Sequence, residues 1–178
     1  MPQLIKNRAV SANDWVLPGA DAATGAAAAS PDAASPDTAS TATHIVLPLA
    51  DYLKAVAAGE PLDARAVLLK PEDQDLAPLL PYLTKLPLIA VYFGSSGEGR
   101  GYTQARLLRE RHGYKGELRA VGAVRADQIF LLARCGFDAF DLVDGDDPAT
   151  AIAQLDRFSV AYQAGDTALT HPRLRYGR

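Results

Sequence analysis

Five times between His44 and Tyr162 a short apolar run is followed by a turn and then by residues with helical spacing. The runs are His44–Leu47, Arg65–Leu69, Leu86–Phe93, Glu117–Val121 and Phe137–Val143. The helical segments are Leu49–Ala58, Asp75–Thr84, Gly101–His112, Ala126–Arg134, and a last one opened by Asp147-Pro148 that runs to about Tyr162. Such alternation specifies an α/β fold with a parallel sheet. Two arrangements satisfy it: a short sheet with helices on both faces, or a partial βα barrel. A complete eight-unit barrel needs about 250 residues, and this chain has 178.

The helix boundaries carry their own signals. Gly113 and Gly136 stand where the third and fourth helices should stop. An acid followed by proline at 147–148 favours a helix start. Pro78 and Pro81 should split or shorten the second helix, because proline lacks an N–H and clashes with the preceding turn. Inward stripes are expected from Tyr102, Ala105, Leu108 and His112, from Ile129, Leu132 and Ala133, and from Ile152, Leu155 and Phe158.

Ahead of this domain, Leu4–Val10 reads as two extended pieces around a polar turn at Lys6-Asn7-Arg8. Trp15-Val16-Leu17 adds another edge, with Trp15 either covering part of the core or serving as a contact for a partner. Residues 19–43 hold eleven alanines with Pro31, Pro36 and several Ser and Thr, and no large apolar residue. That composition is expected to form a disordered insertion. The organisation is therefore a hairpin over 1–18, an insertion over 19–43, an α/β domain over 44–163 and a basic tail over 164–178.

Charge narrows the function. The net charge of -3 argues against a nucleic-acid binder, which needs a basic excess to neutralise phosphate. Yet Arg100–Arg125 contains six arginines and one lysine against Glu110 and Glu117, and the next stretch carries five aspartates from Asp138 to Asp147. A basic side and an acidic side suit anion capture or protein docking. Cys135 is the only cysteine, so neither an intrachain disulfide nor a Cys-rich cluster can form. Neither a signal peptide nor a membrane-spanning run is recognisable, which makes the cytoplasm the expected location and a membrane partner unexpected.

The loop Gly94–Gly101 follows the strongest strand and opens a helix. Ligands of parallel α/β domains sit at the carboxyl ends of strands. Ser95, Ser96, Gly99, Arg100 and Gly101 are therefore candidates for holding sulfate, phosphate or a carboxylate, with Arg119 and Arg125 joining from the next strand. Glu98 opposes an anion there, and a plain βα turn uses the same glycines. Asp127 is expected to cap a helix and is the one candidate general base; an Arg119–Asp127 ion pair is a further arrangement. The loop lacks the Lys-Ser/Thr of a P-loop and the spacing of a dinucleotide fingerprint. No cofactor or metal is expected: His44, His112 and His171 are dispersed, and neither Ser95 nor Ser96 sits in a nucleophile elbow. Cys135 should be a buried structural thiol. Arg106, Arg109 and the tail residues Arg173, Arg175 and Tyr176 are candidate partner contacts.

The segments Gly99–Arg109, Gly116–Gly122, Asp127-Gln128, Arg134–Phe140 and Phe158–Gln163 together resemble the DUF934 family of uncharacterised bacterial proteins. The resemblance covers the hairpin and the chain from about Thr43 onward. It implies association with sulfite reduction, beside sulfite reductase and adenylylsulfate or phosphoadenylylsulfate reductase, and it carries no catalytic residues. Gly122–Ala126 departs from the family pattern, as does the Ala/Ser/Pro insertion. The expected function is an accessory protein of assimilatory sulfate or sulfite reduction that binds a reductase or an anionic metabolite. The alternatives are a small oxidoreductase or anion-processing enzyme of that pathway, with Arg100 and Arg119 orienting substrate for Asp127, and a structural homo-oligomer.

Overall fold

The computed structural model describes residues 3–18 and 44–158. The 19–43 insertion and the 164–178 tail, with His171, Arg173, Arg175 and Tyr176, lie outside the described residues. Two N-terminal strands, β1 (Gln3–Lys6) and β2 (Ala9–Ser11), form an antiparallel hairpin. Its two-residue turn needs positive φ at both central positions, and Asn7 and Arg8 adopt φ 52° and 61°.

The βα units follow. Strands β3 (Ile45–Pro48), β4 (Arg65–Leu69), β5 (Leu88–Phe93), β6 (Glu117–Gly122) and β7 (Ala139–Leu142) are parallel neighbours in chain order. β1 pairs antiparallel with β7, giving the order β2-β1-β7-β6-β5-β4-β3. The helices are α1 (Leu49–Ala57), α2 (Arg100–Arg106), α3 (Ile129–Arg134) and α4 (Pro148–Leu155). Between β4 and β5 the two prolines reduce the expected helix to a 3-10 segment, Ala77–Tyr82. α4 starts where Asp147 accepts from the N–H groups of Ala149 and Thr150.

Side chains alternate between the two sheet faces. One set (Val67, Leu69, Ile89, Val91, Phe93, Leu118, Ala120, Phe140 and Leu142) forms a single core with the buried residues of all four helices. The other set (Val46, Ala66, Leu68, Leu88, Ala90 and Val121) packs against Trp15, Leu17 and Tyr92. Among the described residues helices thus cover one face, which selects the partial barrel of the two arrangements.

The segment after β2 shows how far the sheet curls. Val16 pairs in parallel with Ile45 of β3, at the edge of the sheet opposite to β2. Seven flat strands would separate these edges by about 29 Å, whereas Ser11 to Val16 can span only about 18 Å. The sheet therefore bends toward the face that this strap crosses. β2 and β3 are not hydrogen-bonded to each other, so the barrel stays open.

One inward stripe ends early. Ile152 and Leu155 pack inward, but Phe158 lies beyond α4, 51% exposed and tilted against Phe130. α4 stops at Leu155, so the helical periodicity no longer places residue 158.

Candidate functional site

The carboxyl rim of the sheet is built from the loops after β5, β6 and β7, and these are stitched together. The Gln128 side-chain amide donates to the Ser96 carbonyl at 2.7 Å, and its oxygen accepts from Arg125 N–H at 3.1 Å. Asp146 accepts from Ala126 N–H at 2.7 Å and from the Arg125 guanidinium at 3.3 Å. Ser95, Ser96 and Gly99 are exposed, and Arg100 is 59% exposed with its guanidinium 3.8 Å from Glu98. The Glu98 carboxylate also accepts from Arg100 N–H at 3.2 Å, so the chain itself occupies the first free amide of α2. Gly101 has a packing reason: a Cβ there would lie 2.7 Å from the Phe93 ring.

Arg119, expected on this rim, is elsewhere. Arg119 is 2% exposed within β6, level with Ala90 of β5 and on the inner face of the curled sheet. Its guanidinium pairs with Glu117 at 2.6 Å and donates to the Asn13 side chain of the strap at 2.7 Å. Asp141 shares this face; burial pushes its carboxyl up, against the pull of Arg119. Asp127 stays on the rim, exposed in a 3-10 turn, Ala126–Gln128, and its side chain caps neither this turn nor α3. Arg119 is thus buried on the inner face while Arg100 and Asp127 stand exposed on the rim, and neither the shared catalytic pocket nor an Arg119–Asp127 pair is formed.

Arg109 also moves inside, for a helical reason. α2 runs into a π turn, Leu107–Arg111, closed by His112 N–H on Leu107 C=O at 3.0 Å. The wider turn carries Arg109 onto the amino ends of β6 and β7. There it donates to the carbonyls of Gly136 (2.8 Å), Tyr114 (2.7 Å) and Gly116 (2.9 Å), and to the Asp138 carboxylate (2.8 Å). Its side chain is 9% exposed. Tyr114 continues the cluster: its hydroxyl donates to Leu86 C=O at 3.1 Å, and burial raises the phenol's pKa. Arg109 is a structural rivet, its guanidinium taken up by acceptors within the fold.

Arg106 and Arg111 remain outside. With Tyr102, Thr103, Leu107 and Cys135 they line an open groove of about 300 Å³ between α2, its π turn and the end of α3. Arg106 is 57% exposed and pairs with Glu110 at 2.8 Å. Burial pushes the Cys135 thiol up, against Arg106 and Arg134. The thiol therefore stays protonated at neutral pH, but Cys135 is half-buried at the groove and not buried as expected.

The inner-face pairing of Glu117 with Arg119 was not anticipated, although the sequence held a signal for it. Period-two alternation along β6 places Glu117 and Arg119 on one face, where they pair. Lys6 then closes on Glu117 at 2.5 Å. Gln104, buried on α2, donates to the carbonyls of Lys70 and Asp73 (both 2.8 Å), and nothing in the sequence signalled that clamp. Among the described residues no group of three or more His, Cys, Asp or Glu side chains is gathered for a metal, and no helix is long and apolar enough to cross a membrane.

These features define a half-open βα barrel in which Arg109 and Arg119 are internal rivets, Arg106 and Arg111 line an open groove, and Arg100 and Arg125 stay exposed on the rim. The chain belongs to the family of bacterial proteins of unknown function DUF934, whose model matches residues 66–172. No curated protein matches it.

Proposed function

We propose that the protein is an accessory component of assimilatory sulfate or sulfite reduction, docking on a reductase of that pathway through the groove bearing Arg106 and Arg111. The pathway rests on the sequence resemblance stated above. Docking rests on one observation: Arg109 and Arg119 are consumed internally, whereas Arg106 and Arg111 flank the half-buried Tyr102 and Leu107 in an open groove. An apolar floor with a charged rim is the anatomy of a protein interface. An exposed i,i+4 pair such as Arg106–Glu110 exchanges readily for a partner's carboxylate.

The test is sedimentation and light scattering of the purified chain with sulfite reductase, adenylylsulfate reductase and phosphoadenylylsulfate reductase in turn. One of them should form a salt-sensitive complex that R106E/R111E weakens at least about ten-fold, in line with the loss of close charge pairs. Failure of all three to bind, with no change in their activities, removes the proposal.

A further inference from the structure

A second concavity lies at the other end of the sheet, where β5 and β6 begin. Its volume is about 370 Å³, and Trp15, Pro87 and Leu88 give it an apolar wall. That volume falls within the range of pockets for small organic ligands, roughly 300–1,000 Å³.

Its lining carries two lysines and two carboxylates, and the carboxylates are neutralised from within the fold. Glu117 and Asp138 both reach the cavity, but each is already committed. Glu117 is held between Lys6 at 2.5 Å and Arg119 at 2.6 Å. Asp138 is held by Arg109 at 2.8 Å and by Leu118 N–H at 2.9 Å. Lys115, on the same lining, has no ion-pair partner among the described residues, so the unspent charge is positive. Asn7 and the Trp15 indole N–H add donors that likewise meet no acceptor among the described residues.

The wall is also fixed in place. Trp15 N–H donates to the Asn13 side chain at 3.1 Å, and Asn13 is itself tied to the buried Arg119. The indole packs against His44 with ring centroids 4.8 Å apart, and the next residue is paired to β3. Asn7 is set by the hairpin turn. An immobilised aromatic surface beside an uncompensated ammonium recognises a planar ring and an acidic group in one molecule.

We propose that this cavity binds a small anion carrying a planar ring, the ring against Trp15 and the acidic group at Lys115 and Asn7. Nucleoside monophosphates and aromatic carboxylates share that chemistry. The site is separate from the docking groove, and its failure would leave the docking proposal standing.

Trp15 is the only tryptophan, so its fluorescence reports the site directly. The full chain is titrated with adenosine 5′-monophosphate, benzoate, adenosine and inorganic phosphate, with calorimetry in parallel. One ring-bearing anion should quench Trp15 saturably, with adenosine and phosphate each at least ten-fold weaker. K115Q should weaken that binding ten-fold while K54Q, at a side chain exposed on α1, leaves it unchanged; matching thermal melts show that both variants fold. Absence of saturable binding by either ring-bearing anion overturns the proposal. So does unchanged affinity in K115Q, or phosphate alone binding as tightly.

Discussion

Replacing Arg109 by alanine tests whether the arginine density of residues 100–125 serves structure or surface. The substitution strips a charged donor from three main-chain carbonyls and one carboxylate, in a side chain only 9% exposed. Each hydrogen bond to a charged group contributes about 1.5–3 kcal/mol, and breaking one partner of a buried ionic cluster costs roughly 3–5 kcal/mol. Asp138 is partly exposed and regains water, so the full sum does not apply. A loss of about 3–4 kcal/mol remains, a large share of a typical 5–15 kcal/mol stability. For a domain of this size that lowers the melting midpoint by roughly 10 °C. Circular dichroism in a urea series measures the loss, with R106A as the reference for a helical arginine that faces solvent. R109K should recover less than half, because an ammonium cannot span four acceptors as the planar fork does. A midpoint for R109A indistinguishable from that of R106A would refute the rivet.

Gly122→Ala should destabilise by about 2 kcal/mol or more, because positive φ strains an L-residue and a Cβ here has no room. Gly122 stands at φ 94°, and the added carbon would overlap the Phe93 carbonyl oxygen; a urea midpoint equal to the wild type would contradict this. Asp141→Asn should stabilise the fold at pH 7. Burial raises the Asp141 carboxyl in the folded state, so its contribution is fully present below its ordinary value near about 4 and is lost as pH rises through the raised value. The gain from the substitution should therefore vanish below that ordinary value, and stability curves from pH 3 to 7 that run parallel would exclude it.

What the sequence disclosed and what it hid follow from the range of the interactions involved. The five strands and their parallel sheet were readable because each βα unit is local, and Pro78 and Pro81 announced the weak second helix in their own positions. The curl was hidden: it is fixed by five residues, Ala12–Val16, reaching from one sheet edge to the other. Neither that reach nor its endpoint is encoded in any local pattern. The arginines were misjudged for the same reason. Arg106 and Arg109 look like neighbours on one helical face, but the π turn widens the helix between them, and acceptors 27 and 29 residues further on draw Arg109 inside. A guanidinium goes where acceptors converge. Arg119 meets Glu117 and Asn13 beneath the strap, Arg109 meets three carbonyls and Asp138, and Arg106 meets only a solvent-facing Glu110. Arginine density in this chain therefore marks the seams of the partial barrel first, and interaction with other molecules falls to those cations whose partners are weak or absent.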